Sequence, residues 1–371
     1  MSQSEKLVAD LVAIDSVNPD LVAGGAGEAG IAAFVADWLR DKGLDVEIDE
    51  PKPGRPSVIA TARGTGGGRS LMLNAHMDTV GVEGMSRPFE PEVRDGRLYG
   101  RGAYDMKGAL AACMVAAAQV QKEDLAGDVI VTGVADEEYA SIGVQSILER
   151  HRADAAIVTE PTGLKVCVAH KGFVWAEIET TGRAAHGSRP AEGIDAITRM
   201  APVLNRLADL QRDLDAAHGH PLVGPGSIHA SLIEGGQELS SYPARCRLGL
   251  ERRTVPGETA ADVERECQAL IDGVDGATLR MGLVRDPFEV DQQAEVVQAV
   301  QQAAEAVTGR PPEVFGDTPW MDAAFTQVAG IPTVVFGPGG GGAHAEEEWV
   351  DLASVDACAD ALAQAARALC K

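Results

Sequence analysis

The sequence predicts an α/β protein: a mostly parallel sheet with helices on both faces, interrupted by a smaller inserted α+β sandwich. Three observations carry this. Short apolar runs at 44–48, 57–62, 71–73, 128–134, 155–158 and 333–336 are interleaved with amphipathic helical stretches. Between the last two runs the style changes: residues 165–181 alternate with a period of two, and the order strand, helix, strand, strand, helix, strand follows. Finally, 371 residues at 45% hydrophobic content are comfortable for two domains, each with its own core. The resulting division is a discontinuous domain, 1–172 and 287–371, with 173–286 inserted.

Taken in order, Leu7, Val8, Leu11 and Val12 recur at helical spacing within 5–14, and the polar, glycine-rich stretch 16–27 breaks that helix. A second helix over 28–42 carries Ile31, Phe34, Val35, Trp38 and Leu39 on one face and stops at Gly43. Strands at 44–48, 57–62 and 71–73 precede a helix at 106–120; strand 128–134, helix 142–151 and strand 155–158 complete the first half. In the insertion, a long strand running to 181 leads to a helix at 194–214 and strands at 227–234 and 245–253. A helix opening after Pro256 and Gly257 and a strand at 277–283 close it. Helices at 294–308 and 321–329, strand 333–336, a glycine-rich loop over 337–342 and a helix at 354–369 end the chain.

Composition removes several classes of function. A formal net charge of −24, with no basic patch, argues against nucleic acid and against anionic membrane surfaces as partners. The six cysteines show no CxxC pairing and read as buried free thiols. The opening residues lack the layout of a secretion signal, and no apolar run approaches the ~20 residues of a membrane span, so a cytoplasmic protein is expected.

Ligands of open α/β sheets gather beyond the carboxyl ends of the strands, so the residues that follow the apolar runs are the ones to inspect. Run 71–73 leads into His76 and Asp78, two apart and so on one side of an extended chain. Run 128–134 leads into Asp136, Glu137 and Glu138, run 155–158 into Glu160, and run 333–336 through glycines into His344. Gly100 and Gly102 form a turn delivering Asp105 to a helix start. Singly, each has a blander reading: Asp105 as a helix cap, Glu137 and Glu138 as a solvated turn, Glu346 to Glu348 as an exposed acidic loop. Converging on one sheet edge, they make a mixed nitrogen and oxygen donor set. Such a set suits Zn²⁺ without excluding Mn²⁺ or Co²⁺. The loop 337–342 lacks the Lys-Ser/Thr of a phosphate cradle, and the glycines at 64–68 precede a strand, which fits a dinucleotide fingerprint poorly.

The order His76-x-Asp78, GRGAYDMKG around Asp105, Asp136-Glu137-Glu138, Thr159-Glu160-Pro161 and Gly342-Ala343-His344-Ala345 resembles the co-catalytic zinc hydrolases. That family includes aminoacylase, acetylornithine deacetylase, succinyl-diaminopimelate desuccinylase and glutamate carboxypeptidase. The resemblance implies two zinc ions bridged by Asp105, with His76 and Glu160 completing one site and Glu138 and His344 the other. It implies that Asp78 steadies the far nitrogen of His76, that the Asp105–Met106 peptide is cis, and that Glu137 is the general base for water held between the metals. In the insertion, GRAAHGSRP resembles the family's lid motif. Its His186 would stabilise the oxyanion, often from the second subunit of a dimer. Arg253 matches the lid arginine thought to hold a substrate carboxylate, with Arg252 as the fallback. Many relatives carry Asn where Ser240 stands, and a hydroxyl cannot make the two-ended contact of an amide, which leaves the substrate's identity open.

The expected activity is removal of an N-acyl group from an amino acid or related amine; a metallo-dipeptidase or carboxypeptidase is the near alternative, and a non-catalytic binding protein on the same fold the distant one. The long alternating strand offers an edge that would pair across a two-fold axis, so a homodimer through the inserted lid and dimerisation domain is expected.

Overall fold

In the computed structural model, which describes residues 3–371, the chain divides into two compact units. One comprises the described residues up to Val168, together with Val290–Phe315 and Met321–Lys371; the other comprises Ala169–Glu289 and Gly316–Trp320. The chain opens with α1 (Gln3–Val12) and α2 (Ala29–Asp41), which bury the apolar faces read from the sequence. Strands β1 (Asp45–Asp49), β2 (Ser57–Ala62) and β3 (Leu71–His76) follow, then a short polar hairpin of β4 (Glu92–Arg94) and β5 (Arg97–Tyr99). A kinked turn, Ala103–Lys107, in which Asp105 and Met106 depart from helical geometry, leads into α3 (Gly108–Val120), so the helix expected from residue 106 starts slightly later. Next come β6 (Val129–Val134), α4 (Ile142–Arg150), β7 (Ala155–Val158) and β8 (Val166–His170). Every residue of β2, β3, β6 and β7 is buried, as expected of sheet strands covered on both faces.

The second unit is built from β9 (Gly172–Thr181), α5 (Ala196–Ala216), β10 (Ser227–Gly235), β11 (Arg245–Thr254), α6 (Ala260–Ile271), β12 (Ala277–Arg285) and β13 (Phe288–Glu289). Its antiparallel sheet has the order β10-β11-β9-β12. Alternation decides which face is covered: Val174, Ala176 and Ile178 of β9 and Leu248 and Leu250 of β11 share one core with Met200 and Val203 of α5 and Val263, Cys267 and Leu270 of α6. Asp195 caps α5 by accepting from the N–H groups of Ile197 and Thr198, and Thr259 with Asp262 forms a capping box on α6. Each cap is worth about 1 kcal/mol.

The chain then adds α7 (Glu295–Thr308), β14 (Val314–Asp317), α8 (Ala323–Val328), β15 (Thr333–Val335), β16 (Gly340–Gly341), β17 (Trp349–Asp351) and α9 (Leu352–Leu369). In the first unit the large sheet runs β1-β2-β6-β3-β7-β15-β8. Its central strands β6, β3, β7 and β15 are mutually parallel, and β1, β2 and β8 pair antiparallel at the sides. The six cysteines are buried free thiols. Among the described residues, no helix is long and apolar enough to cross a membrane.

Two elements differ from expectation. The run 165–181 is two strands broken at Lys171, because its period of two continues across the break while β8 is buried at every residue and β9 at alternate ones. The small sheet β16-β17-β5-β4 was not anticipated, since its strands are two or three residues long and show no period.

Candidate metal centre

The four adjacent parallel strands bring their following residues to one edge. His76 is the last residue of β3 and is 1% exposed. Its Nδ1 lies 3.0 Å from the carbonyl oxygen of Asp78. A carbonyl only accepts, so Nδ1 carries a proton and Nε2 is the ring atom left to face the site. That Nε2 is 3.1 Å from Asp105 Oδ1 and 3.8 Å from Glu160 Oε1.

Asp105 sits at the kink of the Ala103–Lys107 turn, at non-helical φ −117° and ψ 90°, and the Asp105–Met106 peptide is cis. Gly102 enters that turn at φ +75°, where a Cβ would lie 2.6 Å from Thr79 Cγ2. Glu348, fully buried, cradles the turn: its Oε1 accepts from the N–H groups of Tyr104 and Asp105, and its Oε2 from Gly102 N–H and Arg101 Nη1. The other oxygen of Asp105, Oδ2, is 3.4 Å from His344 Nε2, which is itself 3.2 Å from Glu138 Oε2. The loop carrying His344 passes close to the end of β7, and a Cβ on Gly337 would sit 2.3 Å from the carbonyl oxygens of Thr159 and Glu160.

Glu137 and Glu138 follow Asp136, whose φ of +69° puts it in the left-handed region that a side chain disfavours. Asp78 holds both backbones: its Oδ1 accepts from Glu137 N–H at 3.1 Å and its Oδ2 from Glu138 N–H at 3.2 Å. Here the contact differs from the one implied by resemblance. The Asp78 carboxylate is 3.6 Å from His76 Nδ1, and the ring is steadied by the Asp78 carbonyl instead.

Burial and mutual repulsion dominate the electrostatics. Burial, reinforced by Asp105, Asp322 and Glu138 and opposed by His76, pushes the Glu160 carboxyl up to about 8. Burial and then Glu160 raise Glu137 well above the usual carboxylate range, and burial and Asp105 raise Glu138. Asp105 is held low against its burial by its bonds to His344 and His76. The same bonds to Asp105 and Glu138 push His344 up to about 10. Oxygen Oε1 of Glu138 is buried with no hydrogen-bond partner among the described residues. Ligand atoms of His76, Glu137 and Glu160, and likewise of His76, Asp105 and Glu138, lie within 4.8 Å of one another. Negative charge in excess, an orphaned carboxylate oxygen and converging nitrogen and oxygen donors all fit divalent cations.

Three predicted residues lie in the second unit. His186 is exposed, with Nδ1 2.8 Å from Ser188 Oγ. Its neighbour Gly187 donates to the carbonyl of Ser240, so these two predicted residues adjoin. Arg253 is one-third exposed, bonded through Nε to Glu251 and lying over the Phe173 ring. The fallback, Arg252, is fully buried between Glu258 and Glu266 and belongs to the framework.

Four residues escaped the sequence reading. Glu348 is one; Asn18 and Arg55, behind the Glu137 turn, are two more. The fourth, Asp322, is 1% exposed, and Asn74 and Ser141 face its carboxylate without closing a hydrogen bond. Burial pushes its carboxyl up to about 7.

A parallel sheet whose strand ends converge on such a cluster fits a metal-dependent hydrolase. The comparisons place it more closely: the sequence model of the peptidase family M20/M25/M40 matches residues 72–368, and the chain belongs to that family. It is 33% identical to the acetylornithine deacetylase of Myxococcus xanthus, covering 92% of this chain and 89% of that one. It is 30% identical to that of Erwinia tasmaniensis, covering 91% and 90%. Its fold superposes on the aminopeptidase PepT from Bacillus cereus ATCC 10987 with a TM-score of 0.82 at 19% identity, covering 100% of this chain and 98% of that one.

Proposed function

We propose that the chain removes an N-acyl group from an amino acid or related amine, in the manner of an acetylornithine deacetylase, using two Zn²⁺ ions for which Co²⁺ or Mn²⁺ can substitute. The observation that carries this is the division of Asp105: one oxygen faces His76 and Glu160, the other His344 and Glu138. On this reading Asp105 would be shared between two cations, with His76 and Glu160 holding one and His344 and Glu138 the other. Relatives at 30–33% identity over most of the chain, both acetylornithine deacetylases, support the substrate class.

When bound, the cations make water more acidic and polarise the scissile carbonyl. The chain's own groups do the rest. Glu137 takes a proton from the attacking water and delivers it to the departing amine, as general base and then acid. Asp78 fixes the backbone of Glu137 and Glu138, and its carbonyl sets the His76 ring so that Nε2 faces the site. Arg253, still partly exposed, holds the substrate carboxylate, with Ser240 contributing a hydroxyl. His186 stabilises the oxyanion from the second subunit of a homodimer formed through 173–286. The enzyme acts in the cytoplasm on small acylated substrates.

The test is a Zn²⁺- or Co²⁺-loaded assay of N-acetyl amino acids beside dipeptides. Turnover of the acylated amino acids is expected. Turnover of dipeptides alone would replace the deacylase reading by a peptidase one, and a fully metal-loaded protein that hydrolyses neither would favour a binding protein.

A further inference from the structure

Behind the Glu137 turn lies a buried polar assembly that joins Asp78 to residues the mechanism above does not use. Asn18 is fully buried in the stretch that interrupts the first two helices. Its N–H donates to the Thr79 carbonyl at 2.9 Å, and its Oδ1 accepts from the N–H groups of Asp20 and Leu21. Those contacts fix the amide's orientation, because backbone N–H groups only donate. Its Nδ2 therefore faces two carboxylates, donating to Asp78 Oδ2 at 2.8 Å and to Asp136 Oδ1 at 2.9 Å. Both acids are fully buried. Asp136 Oδ1 also accepts from Arg55 Nη2 at 3.0 Å, and Arg55 forms a two-pronged pair with Glu28 through Nε and Nη2 at 2.5 and 2.7 Å. Its remaining nitrogen, Nη1, bonds Asp20, which in turn pairs with Lys52. Glu28 closes the ring by accepting from Asp136 N–H at 3.2 Å.

The far side of this assembly is the metal centre. Asp78 uses both carboxylate oxygens to hold Glu137 and Glu138 N–H, and Asp136 is the left-handed residue from which that pair springs. Two buried like charges on either side of the turn push apart unless something ties them together, and one amide group does so. We propose that Asn18 is a positioning residue for the metal centre: its amide ties Asp78 to Asp136, itself anchored by Arg55, and so sets where Glu137 and Glu138 present their carboxylates. The inference rests on Glu138 being a metal ligand.

Asn18→Asp is the incisive change. It keeps the shape and the acceptor for Asp20 and Leu21 but removes both donors to the carboxylates. Asn18→Ser, milder, leaves one hydroxyl too short to span both, and carries the same test should the first variant not fold. Each variant, stripped and titrated with Co²⁺, is read by calorimetry and by visible absorption, which reports ligand geometry. The parent takes up two equivalents. In the variants one equivalent binds about 10–100-fold more weakly, the range seen when groups orienting metal ligands are lost, with an altered spectrum for that equivalent. A role confined to packing the 18–21 loop would lower the melting temperature and leave affinities and spectrum unchanged, and that result overturns the proposal. Glu138→Gln run in parallel separates the two levels. If it weakens one equivalent while both Asn18 variants weaken none, the tie alone is wrong. If it too binds both equivalents as the parent does, the ligand assignment is wrong and the proposal falls with it.

Discussion

Replacing Glu137 by Gln isolates proton transfer from metal binding. The two side chains are nearly isosteric, and the turn is held through its backbone by Asp78 Oδ1 at 3.1 Å, so the substitution leaves its geometry in place. What is lost is a group able to accept a proton. General bases contribute about 10²–10⁴-fold, so kcat should fall by that factor, about 3–5 kcal/mol of transition-state stabilisation. KM and a metal content of two per chain, measured by plasma emission, should stay at parental values. Stability moves the opposite way. Burial and Glu160 raise the Glu137 pKa in the folded chain, so its carboxyl favours folding only while protonated, and ionisation as pH rises through the folded pKa makes it a cost. In chelator at alkaline pH, the Gln variant should therefore melt at or above the parental temperature. A fully active variant with both metals bound would refute the base assignment. A variant that loses a metal would show that Glu137 is a ligand, which its closeness to His76 and Glu160 makes a real alternative.

Metal uptake should release protons, because Glu160, near 8, and His344, near 10, are protonated at pH 7 and must give up their protons to coordinate. Zn²⁺ affinity should rise between pH 6 and 8, by about tenfold per pH unit for each proton displaced; calorimetry in buffers of different ionisation enthalpy measures this, and zero release would contradict it. Arg252→Met should cost about 3 kcal/mol in urea unfolding, the low end for breaking a buried pair because Glu258 and Glu266 keep roughly a quarter of their side chains exposed. Arg253→Met should leave unfolding nearly unchanged and raise KM for substrates bearing a free carboxylate; equal stability losses in the two variants would undo this distinction. With a net charge of −24, the chain should melt at a higher temperature in molar NaCl than in dilute buffer, and a lower melting temperature there would rule out self-repulsion as a limit on stability.

The central strands and the residues at their ends were legible because apolar runs buried on both faces stand out, and whatever follows them is brought to one edge. His76, Glu138, Glu160 and His344 could be found that way. Glu348 could not. It follows two other glutamates, and only the pairing of Val350 with Leu98 and of Trp349 with Tyr99, in strands too short to show a period, turns it inward under Asp105. Asn18 lay in a glycine-rich stretch that reads as a helix break, and its partner Asp136 is 118 residues away. Asp322 carries no local mark of burial, because the helix it precedes is only six residues long. The pattern over 165–181 likewise gives the direction of the side chains, but not the sheet to which each half belongs.

The account depends most on Asp105 facing two cations at once. Diffraction from Zn²⁺-loaded crystals, recorded on both sides of the zinc absorption edge, addresses this directly. Two anomalous peaks about 3.5–4 Å apart are expected, one between His76 and Glu160 and the other between Glu138 and His344, with an oxygen of Asp105 on each. A single peak, or peaks that leave Asp105 uncoordinated, would contradict it.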